Sequence, residues 1–334
     1  MATTSTSRVT IYDVAQRAGV SKSLVSLVLR GSPQVSPARR EAVQQAIDEL
    51  GYRPSRAAAT LAGQRSNTIG VVIDDFANLW FVDLLAGLRE GLAGTTFHVS
   101  VADAALNSHL AESPVHGYLS ARVDGLVIAG EPRTADAAGV GVSTVVVGVR
   151  RQGVAGADLV FADEAAGSAA AVEHLAALGH QRIAFLAGDS GPALERERSY
   201  REAMAARGLT LHATPRGGTD EASGHAAAAT LLADEPQVSA IIAANDLMAL
   251  GAWQALREAG RSVPADVSLV GYDNSPIAAT GIVDLTSVDA RGAEVGRLAA
   301  QALIARIDDP TRPPTTTSVQ PRLVLRGTTA PPPR

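Results

Sequence analysis

The sequence predicts an N-terminal all-α helix-turn-helix domain followed by an α/β core of two parallel-sheet lobes. Three observations lead to this prediction. Helix signals are dense between Thr10 and Gly31, basic residues are concentrated in the first 65 positions, and apolar strands alternate with helix-period segments from Ile69 onward. These patterns indicate a small helical unit joined to a larger unit of a different class.

Two short helices separated by a glycine begin the chain. Thr10 followed by Asp13 forms a capping-box-like start for the first helix. Gly19 can adopt a positive φ, and Ser21 can cap the second helix. A third apolar stripe lies within residues 36–51. Because none of these helices is long enough to be stable alone, we expect their apolar stripes to pack into one core.

Charge separates the head from the rest of the chain. Residues 1–65 contain nine basic and four acidic side chains, whereas the whole chain has a formal net charge of −5. A basic head on an acidic body is typical of a protein of which one part contacts a polyanion. The polar outer face of the second helix could enter a DNA major groove. On pattern alone, a three-helix bundle with a solvated face fits equally well.

The run TIYDVAQRAGVSKSLVSLVLRG, followed by VSPARREAVQQAIDELGYRPSRAAATLAG, resembles the head of the lactose-repressor (LacI/GalR) family of bacterial transcription regulators. The resemblance extends from Val9 to Gly63 and places the DNA-binding domain at residues 8–53. It implies DNA contacts by Tyr12, Ser21, Lys22, Ser23, Ser26 and Arg30. Leu24, Leu27 and Arg30 stand where the family commonly has Thr, Arg and Asn. The operator can therefore differ from the commonest family site, since losing an arginine removes base discrimination.

Residues 54–67 form a linker with a short helix-favouring run. Pro54 breaks the preceding helix, and residues 57–61 span barely two turns, so the run should be mostly unfolded when isolated. The resemblance implies a hinge helix that orders on DNA, with Arg56 near phosphate and with Ala58 and Leu61 in the minor groove. A plain linker is the alternative.

Residues 68–328 are expected to form the effector-binding and dimerisation core. Continuous Val/Ile/Leu strands between helices indicate parallel sheets that are covered on both faces. The element order resembles the periplasmic-binding-protein-like core of the same family, in which the chain crosses between lobes three times. This resemblance predicts one lobe at about 68–157 and 289–317 and a second at about 158–288 and 318–328. The proline-rich tail APPPR is expected to be loose.

Polar and aromatic residues follow the strands of the predicted sheets, where open α/β folds bind ligands. Such residues include Asp75, Asn78, Asp246 and Asn274, for which turn formation or helix capping is an adequate explanation. The predicted effector-binding residues are Asp74, Trp80, Phe81, Arg196, Asn245 and Asp273. Polar groups of these kinds bind hydroxyls and aromatic faces cover sugar rings, so a carbohydrate or similar polyol is the expected ligand.

Two further departures from the family pattern concern the ligand. Gly148 stands where many sugar-binding members place an Asp, so one hydroxyl anchor is missing. Arg291 follows Ala290 where the family often shows Gln followed by Pro or Phe, which predicts a positive charge at the cleft. An anionic group on the ligand is one interpretation of that charge.

Several other chemistries are not expected. The chain has no cysteine, its seven histidines lack metal-ligand spacing, and no glycine-rich phosphate loop is present, so we expect no cofactor and no metal. The sequence GDSGP at 188–192 is interpreted as a strand-end turn rather than as part of a protease triad. A polar N-terminus and the lack of a long apolar run predict a cytoplasmic protein that does not contact a membrane.

We therefore expect a homodimeric transcription regulator, most simply a repressor, rather than an enzyme. It would bind a pseudo-palindromic double-stranded DNA operator with an affinity that a small molecule controls. A solute-binding receptor and a sugar-processing enzyme on the same core fold are the alternatives. The basic head argues against the first, and the missing acid–base pair or phosphate loop argues against the second.

Overall fold

The computed structural model describes residues 9–29, 31–53, 65–109, 112–131, 140–151, 153–212 and 216–333. The chain divides into two compact units, Met1–Ser66 and Asn67–Arg334, which we call the head and the core.

The head is a three-helix unit built from α1 (Ile11–Arg17), α2 (Lys22–Leu29) and α3 (Pro37–Leu50). The Asp13 carboxylate accepts hydrogen bonds from the backbone N–H and the hydroxyl of Thr10, both at 2.7 Å, at the start of α1. Gly19 has φ +66° in the turn before α2. Val14, Val25 and Val43 are buried together, so the three apolar stripes form one core.

The core contains two six-stranded sheets. The first has the strand order β11-β5-β4-β3-β1-β2, and its neighbouring strands are parallel. Its members are β1 (Thr68–Ile73), β2 (His98–Asp103), β3 (Gly125–Ile128), β4 (Ser143–Val147), β5 (Asp158–Ala162) and β11 (Thr316–Val319).

The second sheet has the order β12-β10-β9-β8-β6-β7, with β12 antiparallel to β10 and the other pairs parallel. Its members are β6 (Ile183–Gly188), β7 (Arg216–Gly217), β8 (Ala240–Ala243), β9 (Ser268–Tyr272), β10 (Ser287–Asp289) and β12 (Arg322–Val324). The predicted pair of parallel-sheet lobes is confirmed, with one antiparallel edge strand.

Helices cover the sheets. The first lobe consists of the first sheet with α4 (Trp80–Gly91), α5 (Pro114–Ser120) and α10 (Gly292–Asp308). The second lobe consists of the second sheet with α6 (Glu164–Ala177), α7 (Gly191–Ala206), α8 (Glu221–Asp234) and α9 (Asp246–Glu258). Each lobe buries its own apolar core, which is consistent with two layers of helix around a sheet.

The chain crosses between the lobes three times: after β5, between β10 and α10, and between β11 and β12. The predicted first boundary, after residue 157, is wrong because Asp158–Ala162 pairs with β4 and with β11 in the first sheet. The last predicted boundary, after residue 317, is also too early, since β11 continues to Val319. The first segment of the first lobe therefore extends to Ala162 before the chain crosses to the second lobe.

Helices α4 and α10 pack at very short range through glycines. A Cβ atom added to Gly296 would overlap the carbonyl oxygen of Leu84, and one added to Gly87 would overlap the carbonyl oxygen of Ala293. The absence of a side chain at these positions is what allows the two helix backbones to approach.

The C-terminal segment is docked on the second lobe, contrary to the expectation of a loose tail. Ala330 donates its N–H to Ser268 Oγ at 3.0 Å, and its carbonyl oxygen lies 2.8 Å from His180 Nε2. Thr328 is buried and donates its hydroxyl to the carbonyl oxygen of Leu269 at 2.7 Å. These hydrogen bonds, which the proline-rich composition does not reveal, hold the segment in place. Within the described part of the chain, no helix combines the length and apolar character needed to cross a membrane.

Candidate functional site

The head presents a polar face formed by the start of α2 and by Tyr12 of α1. The Tyr12 side chain is 63% exposed, and Ser21, Lys22 and Ser23 are also exposed. Lys22 Nζ donates to Tyr12 Oη at 3.2 Å and lies 4.9 Å from the centre of the Tyr12 ring. The two helices therefore place a cation, a phenol and small hydroxyls on one surface, which are groups suited to phosphates and base edges.

The other predicted DNA-binding residues differ in their placement. Ser21 Oγ accepts the backbone N–H of Leu24 at 3.2 Å, so Ser21 caps α2 as the sequence predicts. Ser26 is half-buried one turn further along the helix. Arg30, Arg56, Ala58 and Leu61 lie outside the described residues.

The core contains a cavity of about 260 Å³ at the carboxyl ends of strands from both sheets. Parallel sheets bind ligands at this edge because the loops there are free of strand pairing. All six predicted effector-binding residues line the cavity, as do Asp75 and Asn78. Asp246 and Asn274 are not among the described lining residues.

Arg196 of α7 is buried in the part of the cavity wall that the second lobe provides. Its Nε donates to Glu164 Oε2 at 2.7 Å, its Nη1 donates to the carbonyl oxygen of Ala244 at 2.6 Å, and its Nη2 lies 3.0 Å from Asp273 Oδ1. The guanidinium carbon lies 3.7 Å from the centre of the Tyr272 ring. This arrangement fixes the guanidinium in one orientation, because the stack and the charge-assisted hydrogen bonds act together.

Burial and the neighbouring carboxylates have opposite effects on the pKa of Arg196. Burial lowers the pKa of Arg196, but Glu164 and Asp273 outweigh burial and hold this pKa above its ordinary value. Burial raises the pKa of Asp273, and Arg196 offsets part of that rise. Asp273 also has φ +95°, a left-handed conformation that turns its carboxylate toward Arg196 immediately after β9.

Asn245 performs two structural tasks at the cavity wall. Its Oδ1 accepts the backbone N–H of Met248 at 2.8 Å and so caps α9, and its Nδ2 donates to the carbonyl oxygen of Thr219 at 2.8 Å. The amide is therefore held rigidly, with one N–H left for a further acceptor.

The first lobe contributes a carboxylate and an aromatic wall. Asp74 Oδ1 accepts the backbone N–H of Glu131 at 2.7 Å, which joins the loops after β1 and β3. The rings of Trp80 and Phe81 meet edge to face with centres 5.4 Å apart. Asn78 Oδ1 accepts the backbone N–H of Trp80 at 3.1 Å, so it shapes the turn before α4.

Five charged residues that line the cavity were not singled out from the sequence as ligand candidates: Glu131, Arg150, Arg151, Glu164 and Asp189. Arg150 follows Gly148, which has φ +80°, and its guanidinium lies next to the space that a side chain at Gly148 would occupy. A glycine directly after a buried strand indicates a turn. It does not indicate which of the following side chains points back into the cavity.

The expectation for Arg291 is wrong. Arg291 precedes α10 with φ +55°, is exposed, donates its N–H to Asp289 Oδ1 at 2.8 Å, and does not line the cavity. The cations at the cavity are Arg150, Arg151 and Arg196 instead.

The GDSGP segment forms the turn between β6 and α7. Ser190 Oγ accepts the backbone N–H of Ala193 at 3.4 Å, so Ser190 caps α7. Among the described residues, no group of three or more His, Asp or Glu side chains is arranged to hold a metal ion.

Comparison with known proteins relates both the head and the core to one family. Residues 10–55 match the description "Bacterial regulatory proteins, lacI family", and residues 172–329 match "Periplasmic binding protein-like domain". The HTH-type transcriptional regulator CelR of Thermobifida fusca is 37% identical over 96% of this chain and 98% of its own length. The chain belongs to the LacI family.

Solved structures of transcriptional regulators are also similar to this chain. A CelR–cellobiose complex is 34% identical, has a TM-score of 0.71 and covers 96% of this chain and 100% of that one. The lac repressor dimer bound to operator and the anti-inducer ONPF is 30% identical, has a TM-score of 0.78 and covers 97% of this chain and 100% of that one. The LacI-family chain is therefore a transcriptional regulator with a helix-turn-helix region and a periplasmic-binding-protein-like core, and its relatives are regulators rather than enzymes.

Proposed function

We propose that this regulator is a homodimeric repressor whose affinity for a pseudo-palindromic DNA operator is controlled by a saccharide bound in the core cavity. One observation carries the proposal: the same chain has an exposed Lys22–Tyr12 face on its head and a polar, aromatic-walled cavity in its core. A regulator of this kind acts where the chromosome is, in the bacterial cytoplasm.

The head supplies the DNA contacts. Lys22, Ser23 and Tyr12 project from one polar face, and α2 is the second helix of a helix-turn-helix, which is the element that enters a major groove. Net positive charge in the first 65 residues favours phosphate contact and makes binding depend on salt.

The linker couples the two functions. Arg56, Ala58 and Leu61 match the hinge-helix positions of the family, and a helix of two turns is marginal without DNA. A ligand that changes the core by a coupling free energy of about 1–3 kcal/mol would alter operator affinity several-fold or more.

Two copies are proposed because a symmetric operator requires a symmetric protein. Large apolar side chains are exposed on the core, including Phe76, Val82 and Ile282, the last at 96%. Phe76 and Val82 line one surface depression together with Leu85, and adjacent exposed apolar side chains are typical of surfaces that a partner covers. The lac repressor, which this chain resembles, is described as a dimer on its operator.

The proposed ligand is a polyhydroxylated compound of the cellobiose type. Trp80 and Phe81 offer apolar faces, and Asn245 and Asp74 offer polar groups at fixed positions. A CelR solved in complex with cellobiose is 34% identical to this chain. Neither a solute-binding receptor nor a sugar-processing enzyme is supported, because family membership includes the DNA-binding head.

Selection of bound fragments from genomic DNA, with and without cellobiose, tests the proposal. We expect the full-length protein to enrich palindromic fragments, and we expect cellobiose to change their affinity at least about fivefold. Lys22→Ala should weaken binding to the selected fragment by about 1–3 kcal/mol and reduce the slope of affinity against salt by about one charge.

Gln45→Ala provides the control, because Gln45 is an exposed residue of α3 that hydrogen-bonds to Glu49 and lies outside the Lys22 face. It should bind the fragment as the unchanged protein does. A protein that prefers no genomic fragment over random duplex would overturn the proposal.

A further inference from the structure

The cavity is lined by more negative than positive side chains. Its described lining includes three guanidinium groups and six carboxylates; these are Arg150, Arg151, Arg196, Asp74, Asp75, Glu131, Glu164, Asp189 and Asp273. Even with Asp273 protonated, the carboxylates outnumber the guanidiniums. An anionic ligand would therefore enter a region of unfavourable potential.

The buried guanidiniums are already engaged by protein groups. All three nitrogens of Arg196 face Glu164, Asp273 or the Ala244 carbonyl. Arg150 donates from Nε to the Val147 carbonyl at 2.9 Å and from Nη2 to the Ala129 carbonyl. Neither side chain is arranged as a free bidentate clamp for a carboxylate or phosphate.

Arg150 bridges the ends of two neighbouring strands, since Ala129 follows β3 and Val147 ends β4. Its side chain is only 5% exposed, and its Nη1 lies 3.9 Å from Asp74 Oδ2. A Cβ atom at Gly148 would lie 3.1 Å from Arg150 Nη2. Because Gly148 has no side chain, the Arg150 guanidinium can occupy the space beside it.

We propose that Arg150 is a resident counter-ion that balances part of the carboxylate charge of the cavity. The carboxylates that remain in excess then make the cavity accept neutral or ammonium-bearing saccharides and reject anionic ones. This inference rests on the proposed ligand-binding function of the cavity. It replaces the anionic ligand that Arg291 suggested from the sequence.

The electrostatic surroundings of Arg150 support this role. Asp74, Glu131 and Glu164 face it with negative charge, and Arg196 faces it with positive charge. Burial lowers the pKa of Arg150, and the three carboxylates offset part of that effect. A guanidinium remains charged across the physiological range, so the counter-ion is permanent. Removing it would leave carboxylates that repel one another and attract a cation.

The ligand test compares three β-1,4-linked disaccharide derivatives that carry no charge, a carboxylate or ammonium groups. Cellobiose, cellobionic acid and the glucosamine dimer are titrated into the full-length protein by calorimetry at pH 7. We expect cellobiose to bind and cellobionic acid to bind at least about tenfold more weakly. In Arg150→Gln, we expect the affinity ratio of the glucosamine dimer to cellobiose to rise at least about tenfold, whereas Arg150→Lys should retain the ratio of the unchanged protein.

A second measurement does not depend on ligand identity. Urea unfolding of Arg150→Gln and of the unchanged protein is compared from pH 5 to pH 8. Ionised carboxylates without their counter-ion destabilise the folded state, so the variant should lose stability relative to the unchanged protein as pH rises. Arg150→Lys should follow the unchanged profile. Arg207→Gln removes an arginine that lies outside the cavity, and its profile should run parallel to the unchanged one.

The outcomes separate the two proposals. Equal binding of cellobionic acid and cellobiose, or a parallel pH profile for Arg150→Gln, overturns the role of Arg150 while leaving the ligand-controlled regulator intact. Failure of all three compounds to bind, together with a DNA affinity that none of them changes, overturns the proposed saccharide function and the inference that rests on it.

Discussion

Asp246 is a buried carboxylic acid that joins the start of α9 to the loop after β9 and to the first residue of β10. Its Oδ2 accepts from the N–H and the hydroxyl of Ser275 at 2.7 and 2.8 Å, and its Oδ1 accepts from Ser287 Oγ at 2.6 Å. Burial, with a smaller contribution from Asp273, raises the pKa of Asp246 to about 7. The sequence pattern predicts helix capping for this residue, but its hydrogen bonds connect three separate segments.

Asp246→Asn should change how stability depends on pH. An acid whose pKa is higher in the folded than in the unfolded state stabilises the fold at low pH and loses that contribution as pH rises toward its folded pKa. From an unfolded pKa of 3.8 to a folded pKa of about 7, the loss amounts to up to about 4 kcal/mol. Asparagine does not ionise, its Oδ1 can accept from Ser275, and its Nδ2 can donate to Ser287 Oγ. The free energy of unfolding of the variant should therefore gain on that of the unchanged protein between pH 5 and pH 8.

Urea denaturation at four pH values measures this difference. Asp220→Asn is the control, because Asp220 caps α8 at the surface and its pKa is lowered by the backbone N–H of Ser223, so it titrates below this range. Parallel stability curves for Asp246→Asn and the unchanged protein would contradict the prediction.

The sequence indicated some site residues and not others for a physical reason. Arg196, Asn245 and Asp273 were predicted because each lies just after a predicted strand or in the helix that follows one, and because each matches a motif of the family that the chain resembles. Arg150 was missed because it follows a turn whose path depends on tertiary packing, and no local pattern specifies a returning side chain. Glu131 directly follows the apolar run of β3, so the rule that led to Asp74 could also have found it. Arg291 was wrongly placed because its left-handed backbone turns the residue toward solvent.

At the scale of elements, the helix pairs α4–α10 and α8–α9 approach backbone to backbone. Gly296 meets Leu84 across the first pair, and Gly251 meets Glu221 across the second. The sequence showed the strands well, because parallel buried strands are continuous apolar runs. It did not single out α8, which is rich in alanine and therefore has little contrast between its faces.

Gly296→Ala should destabilise the core, because the new methyl group would overlap the Leu84 carbonyl oxygen on a packed helix. Overpacking of this kind typically costs about 1–3 kcal/mol. Thermal unfolding of the full-length protein measures the loss. Gly117→Ala in α5 is a matched control with no heavy atom within 4 Å of the added Cβ, and it should leave stability equal or slightly higher. Equal effects of the two substitutions would be inconsistent with the close helix contact.

At the scale of the whole molecule, the head and the core are separate compact units with their own buried cores. Each unit buries its own apolar side chains, which is the usual condition for independent folding. The division was apparent from the sequence because composition, charge and periodicity all change near the same position. The exact points of crossing between the lobes were not, because β5 and β11 find their partners only in the assembled sheet.

A fragment consisting of Asn67–Arg334 should fold alone, bind cellobiose with the affinity of the full-length protein and lose specific DNA binding. Circular dichroism, calorimetry and a DNA mobility assay test the three parts of this prediction. The full-length protein, prepared in parallel, is the reference. A fragment that is unfolded or that loses cellobiose binding would show that the core depends on the head.

The three passages of the backbone between the lobes have a genetic consequence. Neither lobe is a continuous stretch of the gene, since β11 of the first sheet is encoded after β10 of the second, and β12 of the second is encoded after β11 of the first. A stop codon between β10 and β11 removes the edge strand β11 from the first sheet and leaves the second sheet without β12. Truncated alleles of this gene should therefore yield aggregation-prone polypeptides with open sheet edges, rather than a working half of the receptor.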